Sequence, residues 1–133
     1  MTVAGPYRGS GEVRVMQRGF QTTSALIVGA LLLLVGIVGF VNDPLLGLFD
    51  VNAAHNLVHL LAGAIGIVCA AWIGIGASRW FNRISGIVYA VVAVLGFAGV
   101  VAAIDLLALN GADNWLHVIL GVAQLVIGFG MKD

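Results

Sequence analysis

Asn52–Gly63 reads NAAHNLVHLLAG, and Asn110–Gly121, 58 residues later, reads NGADNWLHVILG. Without gaps, Asn, Ala, Asn, His and Gly coincide at 52/110, 54/112, 56/114, 59/117 and 63/121. Asn and His are rare in lipid-spanning sequence, so their match in register points to a duplication. Upstream, Gly36 and Gly39 answer Gly96 and Gly99 at an offset of 60. Each copy then comprises an apolar stretch and the second one that the motif opens. Two spans separate equivalent positions, so both copies run the same way through a membrane, related by an axis along its normal.

Composition supports a membrane setting. Of 133 residues, 61% are hydrophobic and 9% charged, and the mean hydropathy is +1.09. Soluble domains carry about 25% charged residues, so this surface would not stay in water. The same shortage excludes disorder and nucleic-acid binding. A single cysteine, Cys69, leaves no intrachain disulfide and no thiolate cluster. About 20 apolar residues span a bilayer as a helix. Four stretches qualify: Thr22–Val41, His55–Ala77, Ile84–Ile104 and Trp115–Met131, the last able to start a turn earlier at Asn110. The alternating pattern of a membrane β-barrel is absent. The expected fold is an all-α integral membrane protein, a four-transmembrane-helix bundle built from two parallel helical-hairpin repeats. Repeat one covers 22–77 and repeat two 84–131, after a cytoplasmic tail of residues 1–21.

Charge orients the bundle. Arg8, Arg14, Arg18, Arg79, Arg83 and Lys132 all fall on one side, which the positive-inside rule makes cytoplasmic. With Glu12 and Asp133, that side carries +4; Asp43, Asp50, Asp105 and Asp113 give the other −4. Both termini are expected on the cytoplasmic side, with no cleavable signal peptide. Small residues four apart, including Ala25/Gly29, Gly66/Ala70 and Gly86/Ala90, suit close helix packing in lipid.

The motif has two layers. Asn52 and Asn110 are N-cap residues, with Asp113 placed for a capping box. Asn56, His59 and Gly63 continue one helical stripe, repeated by Asn114, His117 and Gly121. One reading is a structural polar network of Asn52, Asn56, Asn110, Asn114, Asp105 and Gln124 with the histidines, fixing helix register or a partner. A second is a divalent metal site, zinc for example, from His55, His59, Asp113 and His117, with Asp105 behind a ligand. A third is haem on His59 and His117. A small ligand, lipid or proton site is a further option. No phosphate loop, nucleophile elbow, HExxH or catalytic dyad is present, so no enzyme is expected. The expected partners are the bilayer and a homo-oligomer or larger membrane complex; a transport or channel unit would need such an assembly.

Through LFDVN–HNLVH at 48–59, DNWLH–LG at 113–121, the glycine pairs and the four spans, residues 20 to 131 resemble the bacterial "domain of unknown function 4383" family of small four-span membrane proteins. The resemblance implies that fold and setting and brings no activity, substrate or cofactor with it.

Overall fold

The computed structural model describes residues 19–100 and 106–132. Among these are four long helices: α1 (Phe20–Val38), α2 (Ala53–Val68), α3 (Ile75–Phe97) and α4 (Gly111–Leu125). Five-residue π-helical turns, Cys69–Ile73 and Val126–Gly130, extend α2 and α4. With those extensions each helix is long and apolar enough to cross a membrane, its backbone groups satisfied within the segment as lipid requires. The predicted tail as far as residue 18, and Asp105, lie outside the described residues.

Helix limits differ from the sequence reading where a single residue turns the chain. α1 opens at Phe20 behind a Gly19 that makes no side-chain cap. Thr22–Ser24 therefore sit inside the helix, and Gln21, assigned to the tail, is fully buried. α3 opens at Ile75, nine residues before Ile84. Gly74 reverses the chain at φ 114°, a left-handed value that favours glycine, so no polar loop is needed there. Arg79 and Arg83 then ride in the second and third turns of α3, where long side chains reach from an apolar stem to the interface. The Arg83 guanidinium lies 4.7 Å from the Phe129 ring centre and 5.5 Å from that of Trp80.

α1 packs along α2 and α3 along α4, and the two hairpins meet chiefly through α1 and α3. The seams are glycine against backbone. A Cβ on Gly29 would stand 2.9 Å from the Gly63 oxygen and from the Ile67 nitrogen; one on Gly86 would stand 2.9 Å from the Leu125 nitrogen. Gly63 meets Gly29 and Leu33, and Gly121 meets Gly86 and Ala90. These contacts recur at an offset of 57 between α1 and α3 and 58 between α2 and α4. They align Gly39 with Gly96, since these two face Asn56 and Asn114 respectively. The sequence offset of 60 pairs them otherwise, and Gly99 instead forms a turn at φ 74°, with no described residue within 4 Å of its Cβ position.

The two ends of the bundle are closed differently. At the end holding the chain termini, Asn82 Nδ2 donates to the Gln21 carbonyl (3.0 Å) and to Gln21 Oε1 (2.9 Å). Gln21 Nε2 donates to the Ile127 and Met131 carbonyls at 2.7 and 3.1 Å. Arg83 Nε donates to the Gly128 carbonyl at 2.8 Å. The last carbonyls of a helix lack intrahelical partners, and side chains of α1 and α3 supply them here. At the other end, the 39–52 connection folds in over the mouth, burying Leu45 and Val51, and Asp43 Oδ1 accepts from the Val51 amide at 3.2 Å.

Candidate functional site

Both copies of the motif start with a working cap. Asn52 Oδ1 accepts from the His55 amide at 2.8 Å. Asn110 Oδ1 accepts from the Asp113 amide at 3.0 Å, and the Asp113 carboxylate accepts from the Asn110 amide at 3.1 Å, closing a capping box. The spare amide groups then cross between hairpins. Asn52 Nδ2 donates to the Leu106 carbonyl (3.3 Å) and Asn110 Nδ2 to the Leu48 carbonyl (2.8 Å). Donors and acceptors are each offset by 58, so the two bonds are reciprocal latches.

One turn deeper the arrangement changes character. Asn56 is 2% exposed, and among the described residues neither its Oδ1 nor that of Asn114 has a hydrogen-bond partner. Each lies in the space left by a glycine of its own hairpin, Gly39 for Asn56 and Gly96 for Asn114. The two asparagines therefore do not bond across the bundle. Gln124 is paired with Ser24, Oγ donating to Oε1 at 3.4 Å. It belongs to the terminus end, seven residues and about 10 Å beyond His117.

The histidines converge. His55 and His117 are 2% and 6% exposed, and His59 is half-buried. The rings of His55 and His59 lie 4.4 Å apart between centroids, and those of His55 and His117 are stacked at 6.1 Å. One ring nitrogen from each of the three falls within 4.8 Å of the other two. Among the described residues the buried Nδ1 atoms of all three rings have no well-formed hydrogen bond, although the His55 imidazole lies close to the Asp50 backbone and that of His117 close to the Asp113 backbone. Asp113 is not in this group: its carboxylate is held back by the Asn110 amide, and it lines a cavity with His59 and His117. Three of the four metal-ligand candidates are thus together, and the fourth stands beside them. Haem is poorly served, because His55 is in ring contact with both His59 and His117, where a macrocycle between axial ligands would lie.

Sequence reasoning missed two neighbours. Tyr89 of α3 packs against His117, with ring centroids 5.6 Å apart. It sits in a uniformly apolar run whose helical face only the packing reveals. The Gln21–Asn82 pair was hidden because both residues had been assigned outside the spans.

Four apolar spans around buried polar residues define a multi-pass membrane protein of the small four-span class. The chain belongs to the family described as Domain of unknown function (DUF4383), whose model matches residues 22–130. No curated protein and no solved structure matches it.

Proposed function

We propose that the protein holds one divalent transition-metal ion on His55, His59 and His117, zinc being the first candidate. The observation that carries this is the set of three imidazoles with mutually close nitrogens and orphaned Nδ1 atoms. A buried polar group without a partner costs about 1–3 kcal/mol. A metal ion satisfies several such atoms at once, and neutral imidazole suits zinc, copper and nickel. Bonds of about 2.0–2.1 Å at tetrahedral angles place ligand atoms about 3.3 Å apart. The three nitrogens lie within 4.8 Å of one another, so binding an ion would draw them together. Asp113 beside the cluster offsets part of the ion's charge.

The reciprocal Asn52 and Asn110 bonds favour a structural part for the outer layer of the motif, fixing one hairpin against the other. The matching seams support two parallel copies of one hairpin. Arg79, Arg83 and Lys132 at the terminus end support an orientation with both termini in the cytoplasm, and so a site in the outer half of the plasma membrane.

The test is metal analysis and zinc titration of the full chain in mild detergent. About one equivalent per chain is expected, weakening as pH is lowered because protonated imidazole cannot ligate. His59→Ala should reduce affinity at least tenfold while the helical signal persists. Folded protein that takes up no stoichiometric zinc, copper, nickel or cobalt would overturn the proposal.

A further inference from the structure

Arg79 and Arg83 stand four residues apart in α3, one above the other on the same face. Like charges at that spacing repel each other on a helix, and more strongly beside lipid than in water. Hairpin packing does not call for them. The offset of 57 that relates the glycine seams of α1 and α3 carries Arg79 to Thr22 and Arg83 to Leu26. The first hairpin therefore closes the equivalent seam without either charge.

The second arginine is held from behind. Its Nε donates to the Gly128 carbonyl at 2.8 Å, and its guanidinium carbon lies 4.7 Å from the Phe129 ring centre and 5.5 Å from that of Trp80. These contacts use one of the N–H groups and fix the plane of the fork, leaving the Nη donors for another partner. Arg79, one turn nearer the start of α3, has its Nε buried without a hydrogen bond. Among the described residues no carboxylate lies at this end: Asp43, Asp50 and Asp113 all belong to the motif end. Counting the sequence before α1 and after α4 as well, Glu12 and Asp133 face Arg8, Arg14, Arg18, Arg79, Arg83 and Lys132. Cations outnumber acids there by four, however those two acids are placed.

The complement is an anion with several oxygens. A guanidinium fork matches phosphate bidentately, and two forks one turn apart, about 6 Å along the axis, can share one phosphate. The level in the bundle selects the source. Trp80, between the two arginines in sequence, is 61% exposed, and an exposed Trp near the end of a span marks the membrane–water boundary. Phospholipid phosphates lie at that depth at high local concentration. A zwitterionic headgroup would bring its own cation up to the arginines, so the favoured headgroup is net anionic. We propose that Arg79 and Arg83 bind the phosphate of one anionic phospholipid at the boundary end of α3. This site owes nothing to the histidine cluster at the opposite end of the bundle.

The test is native mass spectrometry of the full chain released from nanodiscs of phosphatidylcholine and phosphatidylglycerol in equal parts. About one phosphatidylglycerol per chain is expected to stay bound, in preference to phosphatidylcholine. Arg79→Gln and Arg83→Gln should each lower that retention about tenfold, with circular dichroism unchanged. Arg79→Lys and Arg83→Lys keep the charge but not the fork, and should fall between the glutamine variants and wild type. Lys132→Gln removes the same charge from an exposed position at the same end, and should change retention by less than about twofold. An equal loss from Lys132→Gln would mean diffuse attraction and overturn the inference. So would equal retention of the two lipids, unaltered retention by both glutamine variants, or displacement by millimolar inorganic phosphate. If a glutamine variant fails to fold, the lysine variants decide: retention equal to wild type in both overturns the inference, and reduced retention supports it.

Discussion

Gly29→Ala tests the packing that positions the site. The added Cβ would meet backbone, not a yielding side chain: the Gly63 oxygen and Ile67 nitrogen at 2.9 Å and the Gly66 carbonyl carbon at 3.2 Å. Ordinary contact begins at about 3.4 Å, so α1 and α2 must part by about half an ångström over several turns. Overpacking of this kind costs about 1–3 kcal/mol, and in lipid no hydrophobic term between helices offsets lost packing. Helix propensity acts the other way, favouring Ala over Gly by up to about 1 kcal/mol. Gly76→Ala isolates that term, because no described residue lies within 4 Å of its Cβ position. The prediction is a difference: Gly29→Ala less stable than Gly76→Ala by about 1–3 kcal/mol in SDS titrations from mild detergent, followed by helical circular dichroism. Gly86→Ala should cost about as much as Gly29→Ala, since its Cβ would meet the Leu125 backbone nitrogen at 2.9 Å and the Gln124 Cβ, which moves only with its backbone, at 3.1 Å. Equal midpoints for Gly29→Ala and Gly76→Ala would refute the backbone seam, and with it the close α1–α2 crossing that fixes His59.

Asn110→Ala removes the capping box together with the Leu48 latch and should cost more than Asn52→Ala, which loses one cap bond and the Leu106 latch. Loss of a cap costs about 1 kcal/mol, so a thermal denaturation series should rank Asn110→Ala below Asn52→Ala and both below wild type. His55→Asp should leave stability unchanged or slightly raised, because a carboxylate there completes a capping box with Asn52; His55→Ala should lower zinc affinity in titration at least tenfold, and retained affinity in His55→Ala would count against His55 as a ligand.

Four apolar runs and a repeated polar motif were enough to read the helices, their number and the convergence of His59 and His117, because spanning length and register act locally. What was not legible depended on three dimensions. By charge alone, uncharged sequence reads as span and charged sequence as loop, which starts α3 at Ile84, although Arg83 sits in the helix with its guanidinium over Trp80 and Phe129. The same rule put Gln21 and Asn82 outside the bundle, where they in fact tie α1 to α3. Asn56 and Asn114 were expected to bond across the bundle. Each is instead turned into its own hairpin seam by the missing Cβ of Gly39 or Gly96, a choice that spacing along one helix does not encode.

The motif copies differ at one informative position. Residue 55 and residue 113 both stand third after an N-cap asparagine, where a carboxylate completes the capping box and complements the helix dipole. Copy two has Asp113 there and forms the box. Copy one has His55, which gives up that bond and is buried with its Nδ1 unpartnered. For a motif selected only to hold the bundle together, Asp in both copies is the better solution. With Asp twice, His59 and His117 would face each other alone; with His twice, both boxes would be lost. One of each keeps one stable helix start and three imidazoles. The less stable residue at position 55 is therefore the strongest single argument that the cluster binds something, and it does not depend on what that ligand is.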